Sequence, residues 1–324
     1  MNAIHHTAYG APHVLVLNEA PRPARGDHDV LVAVHASAVT HGDRRLRTAD
    51  FPGIGWLPGR LMTGLVRPRR LVPGTTYAGR VVAIGAAVTR FAAGDDVFGL
   101  GTHGAYAEYL AVPEGGAIAR KPASLDPAEA AALPYGATTA LTFLRDLAGV
   151  QPGERVAVLG ASGEVGRFAV QLARHLGAEV TGVCSRDHDL VAELGAQHVV
   201  DYTREDFTAG GRRYDVVFDT SETNQFGRCR GALTEHGRYL TLQLSLQSLA
   251  QMAMTSVLGG PRSMCGVSVA DQEKLDAVRE LVEAGAMRSV IAGRFPLDRT
   301  ADAHAFLEAG RARGSVVVEV VPAL

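Results

Sequence analysis

The sequence predicts an α/β protein in which a small β domain precedes a doubly wound parallel sheet, and three observations carry that prediction. A glycine stretch, Gly160-Ala161-Ser162-Gly163-Glu164-Val165-Gly166, joins an apolar run at 156–159 to an amphipathic one at 168–176. Strand-like and helical segments alternate after it. Residues 1 to about 120 read mostly as strands punctuated by turn glycines and prolines. At 324 residues, 47% hydrophobic and 20% charged, the chain exceeds one ordinary domain and suits two.

In the β half, 28–35 alternates as a strand and 79–85 repeats the pattern. The stretch 51–73 is rich in Pro, Gly and Arg, and Arg67-Pro68-Arg69-Arg70 makes a local basic cluster. It reads as a solvated loop, and its basic cluster is too short to grip nucleic acid. Asp126-Pro127-Ala128-Glu129 is a helix start, with Asp126 as cap, Pro127 at the first position and Glu129 three after the cap. A second domain begins near it.

Arg155-Val156-Ala157-Val158-Leu159 reads as a buried strand, while Val170, Leu172, Ala173 and Leu176 recur at helical spacing. Glycines between such flanks permit a tight turn and close approach to a pyrophosphate, and the helix N-terminus offers N–H donors and a positive dipole end. The loop therefore reads as a dinucleotide site. Glu164 departs from that chemistry, because its carboxylate repels a pyrophosphate unless it turns away, although a helix N-terminus tolerates negative charge. Segments at 179–184, 190–194, 198–201, 216–219, 226–233 and 239–242 continue the alternation. A helix at 271–283, Val290-Ile291 and a strand at 315–321 close it.

The second strand of NAD-binding sheets usually ends in an acid that accepts from the adenosine ribose. Here Ser185-Arg186 follows 180–184, a hydroxyl and a guanidinium suited to a 2′-phosphate, so NADPH is expected over NADH. The competing role for Arg186 is to cap the next helix or pair with Asp187.

A net charge of −2 gives no global case for nucleic-acid or anionic-membrane partners, and no run of eighteen apolar residues occurs. The N-terminus lacks a basic segment followed by an apolar one, so a cytoplasmic protein is expected. Cys184, Cys229 and Cys265 are far apart, which predicts packed thiols rather than a disulfide framework or a cysteine zinc site. The twelve histidines form no ligand-spaced cluster, and His5 and His6 would point to opposite faces of a strand.

Several stretches, in order, resemble the medium-chain dehydrogenase/reductase superfamily and, within it, the zinc-independent quinone oxidoreductase-like branch. They are Val39-Thr40-His41-Gly42-Asp43, Pro73-Gly74-Thr75-Thr76-Tyr77-Ala78-Gly79, Gly94-Asp95-Asp96-Val97-Phe98-Gly99, Gly104-Ala105-Tyr106-Ala107-Glu108-Tyr109, the glycine loop, Leu194-Gly195-Ala196, Asp201-Tyr202 and Gly314 to Val318. The resemblance implies a discontinuous GroES-like β domain (1–123 and 265–324) around an inserted Rossmann NADPH-binding domain (124–264). It implies that Gly160, Ser162, Gly163, Glu164, Val165 and Gly166 bind the cofactor, with Thr40 and Thr139 toward the nicotinamide. Ser185, Arg186, Tyr202 and Arg313 fall to the 2′-phosphate end. Asp43 is an orienting group, His41 the titratable proton-donor candidate, and Tyr135 a cofactor-facing residue; structural roles compete for His41, Tyr135, Tyr202 and Arg313. Relatives of this type are commonly dimers, so a homodimer is expected.

Zinc-dependent relatives carry a cysteine ligand and a Gly-His-Glu motif where this chain has Thr40 and Gly74-Thr75-Thr76, so no metal is expected. Zinc lowers the pKa of bound water from about 16 to about 7, and nothing in the sequence replaces that for alcohol oxidation. Hydride delivery to a conjugated acceptor needs only hydrogen-bond donors and a later proton. The expected activity is NADPH-dependent reduction of a quinone or of the activated C=C of an α,β-unsaturated carbonyl, on a hydrophobic small molecule. An enoyl-thioester reductase and a non-catalytic NADPH-binding redox sensor are the alternatives.

Overall fold

The computed structural model describes residues 1–51, 53–221 and 225–320. The β-rich N-terminal portion forms β1 (Asn2–His6), β2 (Leu15–Glu19), β3 (Asp29–Val39), β4 (Thr76–Ile84), β5 (Asp96–Leu100), β6 (Tyr109–Pro113) and β7 (Ile118–Arg120), with α1 (His41–Thr48) and α2 (Trp56–Thr63) between β3 and β4. Next come α3 (Pro127–Ala131) and α4 (Pro134–Ala140), the latter running into a π-helical stretch, Leu141–Leu147. The alternating region contributes β8 (Arg155–Leu159), α5 (Glu164–His175), β9 (Glu179–Cys184), α6 (His188–Glu193), β10 (His198–Asp201) and β11 (Tyr214–Asp219). It ends with α7 (Phe226–Cys229), β12 (Leu233–Thr241), α8 (Leu246–Leu258) and β13 (Arg262–Cys265). Then α9 (Gln272–Glu283), β14 (Ile291–Pro296), α10 (Thr300–Glu308) and β15 (Ser315–Glu319) follow; Val321, placed by its pattern in the closing strand, lies outside the described residues.

The chain divides into two compact units, Met1–Phe51, Leu57–Tyr135 and Ala270–Leu324 in the first, Pro52–Trp56 and Gly136–Val269 in the second. The first is built on β3, whose alternating Val30, Val32 and Val34 enter a core with Tyr77, Val81, Val97, Ile118, Val316 and Val318. β3 pairs antiparallel with β4, β6 and β15, the last bringing Val316 opposite Val39. The predicted capping box forms: Asp126 accepts from Glu129 N–H at 2.8 Å and Glu129 from Asp126 N–H at 2.9 Å. The helix it starts packs on β3, β4 and β15 of the first unit rather than opening the second, because its buried face is Ala128, Ala130 and Ala131, small enough to lie close on a sheet.

The second unit is a six-stranded parallel sheet in the order β10-β9-β8-β11-β12-β13. That is the dinucleotide-binding order, with a switch point between β8 and β11 at the carboxyl edge. Cys184, Cys229 and Cys265 are free and buried. No described helix is long and apolar enough to cross a membrane.

Two features depart from the sequence pattern. The stretch 51–73, which reads as loop, contains α2; Pro58 sits in its first turn, where a missing N–H leaves no bond unmade. The other is a buried polar cluster in the first unit. Arg47, 1% exposed, donates to Glu308 and to the Gly10 carbonyl, His6 Nε2 lies 3.2 Å from the Arg47 carbonyl, and the Tyr106 hydroxyl lies 3.2 Å from His304 Nε2.

Burial first, then the charges of Arg47 and His6, push the His304 pKa down to about 3 from 6.5. A depressed histidine stays neutral in the native state while its unfolded form takes a proton below 6.5. The stability tied to it is therefore complete above that pH and lost as pH falls toward 3. Relative to the parent, His304→Asn is expected to gain about 2 kcal/mol between neutral pH and about pH 5. Denaturant melts at the two pH values measure this, and parallel losses in both proteins would refute it.

Candidate functional site

In the second unit, the backbone turns sharply out of β8 at Gly160, which has φ +75°. The N–H groups of Gly160 and Ala161 both donate to the Val183 carbonyl, at 2.9 and 3.1 Å, pinning the turn to the end of β9. α5 starts at once, with Gly163 as a cap whose position carries no side-chain hydrogen bond. At Gly166 a Cβ would lie 2.1 Å from the Gly160 carbonyl oxygen and 2.8 Å from Ala161 Cα, so only glycine lets the helix start close this tightly on the loop. A Cβ at Gly160 would meet Thr220 Oγ1 at 2.8 Å.

Glu164 is partly buried, and its setting includes a guanidinium invisible as such in the sequence pattern. Arg167, one turn on and 4% exposed, donates to the Ser162 carbonyl at 2.9 Å. Burial lowers the Arg167 pKa, and the carboxylates of Glu164 and Asp187 act against that. The negative charge of Glu164 is thus countered from within the helix.

Ser185, Arg186 and Tyr202 emerge from the carboxyl ends of β9 and β10, adjacent strands paired so that Asp201 stands opposite Cys184. Arg186 is half exposed, its Nε 3.9 Å from Asp187 Oδ2. Asp187 itself is buried and held at φ +58° at the head of α6. The same edge carries an open depression of about 460 Å³ lined by His188, Val199, Asp201, Arg204 and Glu205.

Sequence patterns do not single out the end of β11, which flanks the glycine loop across the switch point. Asp219 is fully buried there, accepting from the Tyr239 hydroxyl at 2.6 Å and from the Ser221 N–H and hydroxyl at 2.9 and 2.6 Å. The Thr220 hydroxyl donates to the Leu159 carbonyl at 2.7 Å. Asp-Thr-Ser closing an apolar strand is the signal that marks it. Thr139 is buried in α4, which runs against α5: a Cβ at Gly136 would lie 2.4 Å from Phe168 Cδ2 and 2.9 Å from the Glu164 carbonyl. π-Helical stretches such as the one that follows α4 are frequent at functional sites.

In the first unit, Thr40 caps α1 and forms a closed box with Asp43. The Thr40 hydroxyl accepts from Asp43 N–H at 3.0 Å, while Asp43 Oδ2 accepts from Thr40 N–H at 3.0 Å and from its hydroxyl at 2.7 Å. Burial raises the Asp43 carboxyl to about 6, with the hydrogen bonds from Thr40 opposing the rise. The Tyr135 ring covers this turn so closely that a Cβ on Gly42 would lie 3.0 Å from Tyr135 Cε2 and 3.3 Å from Thr40 Oγ1. Thr40, Asp43 and Tyr135 therefore meet. His41 is exposed on the first turn of α1, and Arg313 is exposed on the loop before β15. Among the described residues no group of three or more His, Cys, Asp or Glu side chains is placed to hold a metal ion.

Residues 26–123 match the alcohol dehydrogenase GroES-like domain family, and residues 194–318 match the zinc-binding dehydrogenase family. The chain is 32% identical over 338 residues to 2-methylene-furan-3-one reductase of Solanum lycopersicum, covering 99% of this chain and 80% of that one. The protein belongs to the quinone oxidoreductase-like branch of the medium-chain dehydrogenase/reductase superfamily. This quinone oxidoreductase-like chain is also 31% identical to the NADPH-dependent alkenal/one oxidoreductase of Arabidopsis thaliana, over 99% of its own length and 80% of the relative's. Its fold matches that of the quinone oxidoreductase from Coxiella burnetii with a TM-score of 0.86, at 28% identity and 99% coverage of both chains. The superfamily's two modules account for the split β unit and the inserted parallel sheet.

Proposed function

We propose that this protein is an NADPH-dependent reductase that delivers hydride to a quinone or to the activated C=C of an α,β-unsaturated carbonyl compound without zinc. The observation that supports the reading is the closed Thr40–Asp43 hydroxyl and carboxylate box under Tyr135, with Thr40 and Gly74-Thr75-Thr76 at the positions where, by the resemblance, zinc-dependent relatives carry a cysteine ligand and a Gly-His-Glu motif. The relatives named above act on an exocyclic enone, on alkenals and enones, and on quinones by their descriptions. Such acceptors delocalise the charge that hydride addition creates, so a Lewis acid is not required.

A dinucleotide fits the second unit: glycine at 166 lets α5 start tightly against the loop, and the cap residue Gly163 places no side-chain hydrogen bond on the helix N-terminus. Gly160, Ser162, Gly163, Val165 and Gly166 would hold the pyrophosphate, with Glu164 drawn toward Arg167. Ser185, Arg186 and Tyr202 would hold the adenosine 2′-phosphate, and Thr139 the nicotinamide ribose. When bound, the reduced nicotinamide supplies the hydride. In the first unit the Thr40 hydroxyl has committed its proton to Asp43 and keeps acceptor capacity, which suits a carboxamide N–H. Tyr135 O–H is by type a donor suited to a carbonyl oxygen, and His41 is the exposed titratable group for the later proton.

Metal-stripped protein given an ortho-quinone, a simple enone and a saturated aldehyde in parallel tests the reading. Chelator-resistant turnover of the first two with NADPH is expected; turnover of the aldehyde alone, or none, would overturn it.

Cofactor preference has its own test. Arg186→Ala is expected to lower the NADPH-to-NADH affinity ratio by roughly ten- to hundredfold, one charge-assisted contact. Asp187→Asn moves it the other way, because asparagine tolerates the left-handed backbone while the carboxylate that repels a phosphate is gone. Fluorescence titration with both nucleotides reads the ratio, and an unchanged value in Arg186→Ala refutes the phosphate role.

A further inference from the structure

From 51 to 94 the chain carries no Asp or Glu, and within 51–73 its only charges are Arg60, Arg67, Arg69 and Arg70. The structure shows what that segment presents. Its backbone is fastened: His6 N–H donates to the Leu71 carbonyl at 2.8 Å, the Tyr9 hydroxyl to the Gly64 carbonyl at 2.8 Å, and Arg69 N–H to the Thr63 carbonyl at 2.8 Å. The Arg60 guanidinium lies 4.8 Å from the Tyr9 ring centroid. The apolar side chains, in contrast, are left outside.

Trp56, Leu57, Leu61, Met62, Leu65 and Val66 are all exposed, Met62 by 65% and Val66 by 87%. Leu57 and Leu61 stand one helical turn apart on α2. Isolated apolar residues are ordinary on a surface, but six within eleven positions on a fastened backbone form a patch that marks an interaction site. Among the described residues no carboxylate pairs with Arg67, Arg69 or Arg70, which follow directly.

We propose that this face docks on an anionic lipid bilayer surface, with the α2 side chains entering the headgroup region and the arginines meeting lipid phosphates. Charge complementarity selects that occupant. An apolar helix face with adjoining cations and a tryptophan at its edge is the chemistry of interfacial binding, and arginine stems let the charges reach phosphate while their carbons stay apolar. The net charge of −2 conceals this, because screening over about 8 Å at physiological salt makes a membrane respond to the local charge. The proposal deepens the reductase reading, on which it rests for its purpose: a lipophilic acceptor would be met where it is dissolved.

Trp56 is the only tryptophan of the chain, so its emission reports this face directly. The full chain, without nucleotide or acceptor, is titrated with phosphatidylcholine vesicles with and without about 30% phosphatidylglycerol. Binding to the anionic vesicles with a blue shift of Trp56 emission is expected, and none to the neutral ones. Arg69→Gln with Arg70→Gln is expected to weaken partitioning about 25-fold, about fivefold per arginine. Leu61→Ser with Val66→Ser should abolish the blue shift, and unfolding midpoints confirm that these surface variants are folded.

No vesicle binding at low salt, binding without a Trp56 shift, or binding that survives both double variants would overturn the proposal. So would self-association abolished by Leu61→Ser with Val66→Ser in protein that ignores vesicles, which would make a second copy the occupant. Because no acceptor is present, a negative result leaves the reductase reading standing, and a failed turnover assay leaves the docking face standing.

Discussion

Gly166→Ala is expected to raise the dissociation constant for NADPH at least about a hundredfold, the penalty of displacing a binding group by about 1 Å. The added methyl would sit 2.1 Å from the Gly160 carbonyl oxygen, far inside van der Waals contact with backbone that cannot rotate away. Relief requires α5 to move off the loop, which carries the N-terminal N–H donors away from the pyrophosphate. Gly153→Ala is the control. It imposes a left-handed strain at φ +83° that Gly166, inside α5, does not carry, with nothing within 4 Å of the new Cβ, in the turn before β8, so it separates lost stability from lost loop geometry. It is expected to cost about 1–2 kcal/mol of stability and leave nucleotide affinity unchanged. Equal affinities for Gly166→Ala and the parent in a fluorescence titration would remove the loop from the binding site.

The second large effect concerns stability. Glu308→Ala removes the carboxylate partner of a guanidinium that is 1% exposed, leaving it the Gly10 carbonyl as acceptor. Burial already lowers the Arg47 pKa, and Glu308 is the first of the groups that raise it. Breaking a buried pair from one side costs about 3–5 kcal/mol; because Glu308 is 29% exposed, about 3 kcal/mol is the expected loss here. Arg47→Met combined with Glu308→Ala should recover part of it, since an apolar chain then occupies the pocket without a charge to solvate. Chemical denaturation of the three variants decides the matter, and a double variant no more stable than Glu308→Ala alone would count against it.

Local signals suffice where local physics decides the structure. The bounds of β8, β9 and β10 agree with the apolar runs, and the Asp126 box forms as Asp-Pro-Ala-Glu prescribes. Thr40-His41-Gly42-Asp43 likewise closes a box by its i, i+3 spacing. Features set by distant partners were not legible. Arg167 reads as an exposed helix charge until Ser162, Glu164 and Asp187 surround it. Asp219 acquires its role from Tyr239, twenty positions away, and α2 hides within a Pro- and Gly-rich stretch whose backbone is secured by Tyr9 and His6. Neither α8 nor β13 is marked by a strong pattern, because Ser245 begins a helix in a run of Leu, Gln and Ser with no clear polar face.

The pairing of Val316 with Val39 imposes an order on how the molecule is made. A ribosome releases β3 long before β15, so the 36–39 end of β3, beyond the part of that edge which β6 covers, must wait for nearly the whole chain to be synthesised. Every strand of the parallel sheet has by then emerged and can pair locally. The nucleotide unit is therefore expected to fold first, while still tethered, and the split β unit to close last around a long loop whose ends are already drawn together. Delayed closure makes the late-arriving edge the point at which a slow or interrupted synthesis would expose the molecule to aggregation.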